Sequence, residues 1–309
     1  MKKRSPRIKK RPLHGIVLLD KPLELSSNQA LQAVRRLLRA AKGGHAGALD
    51  PQATGLLPLC FGEATKLAAG LLGSRKAYIA ECRLGITTDT ADSEGEVLLQ
   101  QPVPALDDDA IEAALAPLRG RIMQVPPAFS AIKQDGERLY AKARRGETID
   151  VPPREVDVHR LDLLERNGEV LRLRIECGSG TYIRSLAVDI GETLGCGAHL
   201  TSLRREWVEP FREPEMVTLA ELELAAEQGD EALLKWLLPL TSVMADLPAL
   251  QLDEAQTMAI SLGQQIILPG IPETGRCAAF ASDGALLALL EQDEQGRARI
   301  VRGFNLPPN

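Results

Sequence analysis

Aromatic residues are scarce in this 309-residue chain: two Trp, three Tyr and five Phe make up 3% of it. A site built on stacked rings must therefore use very few of them, and Tyr78, Tyr140, Tyr182, Trp207 and Trp236 each carry weight. The five cysteines, Cys60, Cys82, Cys177, Cys196 and Cys277, are scattered, odd in number and never in a C-x-x-C pair. That pattern excludes a disulfide framework and favours reduced thiols in a cytoplasmic protein. The four histidines, His14, His45, His159 and His199, show no zinc-holding spacing, and no nucleotide-binding glycine motif is present. Neither metal nor cofactor is expected. No segment approaches the roughly 20 apolar residues of a membrane span. Behind the basic start MKKRSPRIKKRP only the short GIVLL run follows, too brief for a signal-peptide core.

Positive charge is also in short supply. The 37 Lys and Arg face 42 acids for a net charge of −5, which by itself argues against a nucleic-acid partner. The distribution is uneven, because seven of those cations lie in the first twelve residues and the rest of the chain carries −12. Residues 1–12 read as a disordered basic arm with weak contact to RNA phosphates.

What is present is an ordinary hydrophobic content of 44%, enough for one large domain and a small one. GIVLLDKP reads as a buried strand. SSNQALQAVRRLLRAAKGG follows as a helix capped by Ser26 or Ser27 and ended by Gly43-Gly44, with Leu31, Val34 and Leu38 inward. The next stretch, GHAGALDPQATGLLPLCFGEATK from Gly44 to Lys66, organises the chain. Its glycines and Pro51 put Asp50 at a turn, where the carboxylate either caps its own loop or performs chemistry. His45 five positions earlier, and the rigid LLPLCF strand behind, favour chemistry.

Beyond it, a short helix is expected from Glu63 to about Gly73. RKAYIAECRLG alternates as a strand with Tyr78, Ala80, Cys82 and Leu84 on one face. TTDTADSEGE reads as a loop, and DDDAIEAALAPLRG as a helix with Ile111, Leu115 and Leu118 inward. From Pro126 to Gly146 the sequence predicts a Pro-Pro turn, a short FSAIK strand and a basic helix bearing Lys142, Arg144 and Arg145. VDVHRLDLLE and EVLRLRIEC form a hairpin about Asn167-Gly168. GSGTYIRSLAVDIGETLG passes from a glycine turn into a helix with Arg184 at its start, where the helix dipole disfavours a cation. An acidic partner is therefore required, and Asp50 is the candidate, against a surface Glu or Asp as the alternative. Thr218 and Glu221 make a capping box, Pro239 to Pro248 reads as a linker, and CAAFA with ALLALLE reads as a hairpin of a small β domain.

The Gly44–Lys66 stretch, with KAYIAECRLGITTDTADSEG, PPAFSAIKQDGERLYAKARRG and GSGTYIRSLAVDIGETLGCGAHLTSLRR, resembles the bacterial TruB family of tRNA pseudouridine-55 synthases from about Gly15 to Arg205. It departs at Ala46, where the family usually carries Thr or a β-branched residue. The resemblance implies an α+β fold, with a mixed, largely antiparallel central sheet flanked by helices over residues 13–245 and a thumb-like insertion at about 124–152. It also implies a small β-rich PUA-like RNA-binding domain at 246–309. It further implies that Asp50 is the nucleophile, and that His45, Tyr78, Tyr182, Arg184, Leu203 and Lys66 meet the target uridine in the T-loop of tRNA. Lys133, Arg138 and Lys142 would contact the RNA backbone. A cytoplasmic monomer needing no cofactor and no protein partner is expected. Two other classes compete with this reading. A glycosidase-like hydrolase wants a second acid across the scissile bond, and the sequence supplies none beside Asp50. A non-catalytic RNA-binding or tRNA-folding protein would use the same basic segments, while the thumb-like segment fits a stand-alone enzyme better than a guide-RNA-dependent one.

Overall fold

The computed structural model describes residues 9–68, 75–127, 129, 133–134, 136–139, 145, 147 and 150–306. In chain order the strands are β1 (Gly15–Lys21), β2 (Gly43–His45), β3 (Ala53–Phe61), β4 (Arg75–Leu84), β5 (Ile86–Thr88), β6 (Val97–Gln100), β7 (Gly120–Gln124), β8 (Lys133–Gln134), β9 (Glu137–Arg138), β10 (Arg154–Asn167), β11 (Val170–Gly178), β12 (Ala198–Val208), β13 (Val217–Thr218), β14 (Ala249–Gln251), β15 (Cys277–Phe280), β16 (Leu286–Gln292) and β17 (Ala298–Gly303). The helices are α1 (Ser27–Leu37), α2 (Asp108–Leu115), α3 (Ile183–Thr193), α4 (Leu219–Gln228), α5 (Asp230–Leu234) and α6 (Glu254–Ser261).

Among the described residues, a nine-stranded sheet runs β13-β1-β3-β12-β4-β11-β10-β7, with β2 added to β3. Most neighbours are antiparallel. β12 with β3, and β13 with β1, run parallel. Period-two alternation splits the strands between two cores. Val17 and Leu19 of β1 enter one core, which holds Leu31 and Val34 of α1 and Leu186 and Ile190 of α3. Ile16 and Leu18 enter the other, built with Ala278 and Leu289 of the C-terminal four-stranded sheet β14-β15-β16-β17 and with Phe304 just after β17. The fold is α+β, with helices on one face of the main sheet and a small β domain against the other.

Several local expectations shift. The first helix ends at Leu37, with Arg39 in the left-handed region (φ 54°), and Gly43–His45 is a strand rather than a cap. Pairing with β3 outcompetes helix continuation there. Ser26 makes the cap, in a capping box with Gln29. Gly62–Lys66 is a short 3-10 turn, and residues 69–74 lie outside the described residues. In the β10–β11 hairpin Asn167 pairs with Val170, so the loop is Gly168-Glu169, one residue later than read, with the positive φ (59°) at its first position. Leu240–Met244 is not a loose linker: Leu240, Val243 and Met244 are buried between the main sheet and the C-terminal domain. Arg11, assigned to a disordered arm, is bridged to Ala40.

Candidate active site

Asp50 lies in the loop from β2 to β3, and the backbone around it is tied at many points. Ser27, opening α1, accepts from the Leu49 N–H (2.7 Å) and donates to the Leu49 carbonyl (2.9 Å). The Pro51 carbonyl accepts from the Glu24 N–H (2.9 Å), and the Ala53 N–H donates back to the Asp50 carbonyl (3.0 Å). A loop so bonded holds its carboxylate in place without ordering it anew for each reaction.

Two buried cations support this loop. Lys21 Nζ donates to the carbonyls of Leu25 (2.6 Å) and Pro22 (2.8 Å), with a longer approach to Pro51 (3.4 Å). Arg205 donates from Nε to the Leu56 carbonyl (2.7 Å) and from Nη2 to the Gly47 carbonyl (2.9 Å). In strand register, Lys21, Gly55, Arg205 and Tyr78 form one row across β1, β3, β12 and β4. Gly55 is obligatory in that row, because its φ is +95° and a Cβ would collide with the Arg205 carbonyl oxygen. Burial pushes the Lys21 ammonium down to a pKa of about 8; Asp50 opposes that shift and Arg205 adds to it.

Arg184, in the first turn of α3, is 7% exposed. Its Nη2 meets Asp50 Oδ2 at 2.9 Å and the Phe129 carbonyl at 3.0 Å; its Nη1 meets Asp92 Oδ2 at 3.3 Å and the Thr90 carbonyl at 3.1 Å. Two carboxylates and two carbonyls thus compensate a buried guanidinium that would otherwise be costly to desolvate. The two acids are unequal. Asp92 has only 10% of its side chain exposed and also accepts from Thr90 Oγ1 (2.5 Å) and the Glu94 N–H (3.1 Å), whereas the Asp50 side chain is 52% exposed. Asp92 is therefore an anchor, and Asp50 keeps a face open to a ligand.

Gln124, at the end of β7 and 1% exposed, secures the start of α3. Its Oε1 accepts from the Tyr182 N–H (2.8 Å) and its Nε2 donates to the Tyr182 carbonyl (3.1 Å), while Ser185 Oγ donates to the Val125 carbonyl (2.7 Å). Tyr78 is buried beside Arg205, and burial raises its phenol above the ordinary range. His45, half-buried on β2, is held below its ordinary pKa by burial and by Arg205; its Nδ1 is buried without a hydrogen-bond partner among the described residues. A neutral ring results at pH 7.

Asp50, Arg184, Asp92, Gln52 and Leu203 border a hollow of about 20 Å³, enough for a water molecule and too small for a pyrimidine ring. The hollow is smaller than the pocket that the sequence reading expects. A second hollow of about 760 Å³, lined by Phe211, Trp236 and Lys235 among others, shares no residue with the first. Size does not decide between them, because the paired carboxylate and buried guanidinium belong to the smaller one.

Family models match almost the whole chain: the TruB family pseudouridylate synthase N-terminal domain over residues 35–183, the tRNA pseudouridylate synthase B C-terminal domain over 184–245, and the tRNA pseudouridine synthase II C-terminal domain over 247–305. The chain belongs to the TruB family. It is 57% identical over 300 residues to tRNA pseudouridine synthase B of Xanthomonas campestris pv. campestris (strain B100), covering 97% of each chain. It is 55% identical to the Xylella fastidiosa (strain Temecula1 / ATCC 700964) protein of the same name, covering 97% of this chain and 99% of that one. Among solved structures it is similar to a chain of an H/ACA RNP bound to a substrate RNA containing 2′-deoxyuridine (TM-score 0.72, 25% identity, 96% of this chain and 86% of that chain). It is also similar to a chain of a Cbf5-Nop10-Gar1 complex (TM-score 0.73, 25% identity, 98% and 90%). The chain is thus a TruB-family enzyme of tRNA pseudouridylation.

The TruB fold brings Asp50, Arg184, Tyr78 and Leu203 to one side of the sheet, with His45 on the strand leading into the Asp50 loop. Leu203 pairs with Ala53 and Ala80 in the sheet, and Tyr182 stands half-buried at the cap of α3. Lys66 is engaged elsewhere: its ammonium meets Glu63 at 2.5 Å and the Gly303 carbonyl at 2.8 Å, and Glu63 in turn accepts from the Asn305 N–H (2.8 Å). Those bonds fasten the C-terminal domain to the main sheet. Lys133 and Arg138 pair in the short β8–β9 hairpin, and Lys142 lies outside the described residues. Arg145, expected on a basic helix, is bound to Glu137 (2.6 Å) and Glu147 (2.7 Å). Sequence reading missed Lys21, Asp92, Gln124 and Arg205. It found no second acid beside Asp50, yet Asp92 reaches the same Arg184 from a loop 42 positions beyond Asp50 in the chain. A charged residue closing a largely apolar strand, as Lys21 does in GIVLLDK, was the signal available.

Proposed function

We propose that this enzyme converts the uridine at position 55, in the T-loop of tRNA, to pseudouridine by base flipping and attack from Asp50. The observation that carries the reading is the half-exposed Asp50 carboxylate fixed at 2.9 Å from the buried Arg184 guanidinium. A uridine stacked in folded RNA is out of reach, so it must swing out at a cost of a few kcal/mol. His45, neutral and planar, takes the vacated stacking place, while Tyr78, Tyr182 and Leu203 wall the pocket. The Asp50 carboxylate then attacks C6 of the base or C1′ of the ribose, or promotes elimination to a glycal. Whichever route is taken, the N1–C1′ bond breaks, the base turns, and C5 bonds to C1′. The C5 proton leaves to solvent and N1 gains one, so no oxidant and no group donor enter. Arg184 keeps the carboxylate aimed, and the tied loop backbone prevents its retreat.

The division of labour follows the same lines. Residues 13–245 form the catalytic unit, with an insertion at about 124–152 that supplies Lys133, Arg138 and Lys142 as contacts for the RNA backbone. Residues 246–309 act as a PUA-like RNA-binding module. The five cysteines are all buried free thiols, which suits a reducing compartment such as the cytoplasm. The deciding experiment is tritium release from C5-labelled uridine in unmodified tRNA, followed by mapping of the product. Release with pseudouridine at position 55 is expected. A product at another position, or none, defeats the assignment.

A further inference from the structure

The inner end of the N-terminal arm is fixed in place. The Arg11 N–H donates to the Arg39 carbonyl (2.8 Å), and the Ala41 N–H donates to the Arg11 carbonyl (2.9 Å), so the arm is bridged to the chain where it leaves α1. Side chains repeat the attachment, with Arg11 Nη1 at 2.9 Å and Arg39 Nη2 at 2.6 Å from Asp230 Oδ2. Around this bridge stand Lys9, Lys10, Arg36 and Lys42. All four are exposed, and none makes an ion pair with a described residue. Elsewhere cations are mostly matched to neighbouring acids, as Arg75 is to Glu176, Arg119 to Glu112, Arg204 to Asp20 and Arg297 to Asp293. Four exposed cations without an ion pair to a described residue thus stand close together in a chain whose residues beyond the first twelve carry a net negative charge.

That place adjoins the site. Lys42 immediately precedes β2, and His45 ends it, so extended backbone separates them by roughly 10 Å. The opposite end of α1 is bonded to Leu49, next to Asp50. One helix and one short strand therefore connect the cations to the catalytic loop at fixed distance.

We propose that Lys9, Lys10, Arg36 and Lys42 form a phosphate-binding strip, held in register by the Arg11–Ala40 bridge, that grips the backbone of the RNA stem carrying the target uridine. The inference rests on the proposed function for the identity of that stem. Long, flexible cationic side chains suit the task, since gripping a phosphate needs charge and reach rather than a fixed planar fork. The strip supplies affinity without sequence information, and it gives an acidic protein a local attraction for RNA.

The test compares the full chain with a Lys9→Gln/Lys10→Gln/Arg36→Gln/Lys42→Gln variant in binding to unmodified tRNA, and to the isolated T-stem-loop, over a salt series. Every phosphate that the variant no longer neutralises should lower the slope of log K against log salt by about 0.9, and the Kd of the variant should rise by about tenfold or more at low salt. Arg172→Gln is the control: it removes a cation on β11, separated from β3 by β12 and β4, and should leave the slope near that of the parent. Equal slopes for parent and quadruple variant overturn the proposal. Weakened binding of whole tRNA with unchanged binding of the stem-loop overturns the assignment to that stem. Failure of the function itself is read separately, as absence of pseudouridine in tRNA treated with the parent chain.

Discussion

Lys21 and Arg205, both fully buried, lie on either side of Gly55 in the sheet and bond to carbonyls that flank Asp50 in the sequence. Arg205 takes Gly47 before it and Leu56 after it, while Lys21 approaches Pro51. The Asp50 loop is thus clamped by buried cations, and its carboxylate sits in a positive local field.

The burial of Lys21 makes stability depend on pH. Its folded pKa is about 8 against an ordinary value of 10.5, so between these values the unfolded chain binds more protons than the folded one. The contribution of this group to stability should therefore rise with pH from about 8 to 10.5, as the buried ammonium loses its charge. Denaturant unfolding of the parent and of Lys21→Met, at about pH 7 and about pH 10, isolates the effect because other titrations cancel in the difference. A difference that stays flat would show that the ammonium is not desolvated.

Replacing Asp50 with Asn should remove isomerisation, with a fall on the order of 10⁴-fold or more, since the proposed nucleophile disappears while its shape remains. Binding of tRNA should survive. Tritium release and filter binding on the same preparation separate the two, and residual turnover near the parent rate would exclude Asp50 as the catalyst.

Asp92→Asn keeps the size of the anchor and removes its charge. Asp50 is then the one carboxylate left to Arg184 beside the Thr90 and Phe129 carbonyls, and the buried guanidinium is less compensated, at a cost of about 1–3 kcal/mol in stability. Turnover should drop by about ten- to a hundredfold with little change in KM, because the aim of the Asp50 carboxylate rather than RNA affinity is disturbed. Arg184→Lys should not restore function, as one ammonium cannot satisfy two carboxylates and two carbonyls at once.

Gln124→Ala leaves the Tyr182 N–H without its partner, while the Tyr182 carbonyl keeps the Leu186 N–H (3.2 Å), for a loss of about 1–3 kcal/mol. Because α3 opens there and Arg184 follows two residues later, turnover should fall by about tenfold while KM holds. Gln124→Glu keeps the acceptor for the Tyr182 N–H but loses the donor, and should retain part of the rate. If both variants match the parent in turnover and differ only in melting temperature, Gln124 supports the fold and does not position the site.

The hairpin of β10 and β11, the capping box at Thr218, a serine cap on α1 at Ser26 or Ser27, and the alternation of β4 were legible in the chain because they depend on neighbours a few residues apart. So was Asp50, from its turn chemistry and the motif around it. The pairing of Arg184 with Asp50 followed from one physical demand, an acid for a cation at a helix start. Asp92, Gln124, Lys21 and Arg205 were not legible. Nothing in a linear pattern distinguishes a solvated charge from one that folding buries, and only packing brings Gln124 to Tyr182, 58 positions on, or Asp92 to Arg184, within 3.3 Å. By itself, then, the sequence determined most of the local elements, the motif and the place of Asp50 at a turn. The tertiary structure alone decided which charges lose water, which carbonyls replace it, and how wide the cleft stands, because those follow from long-range register and burial.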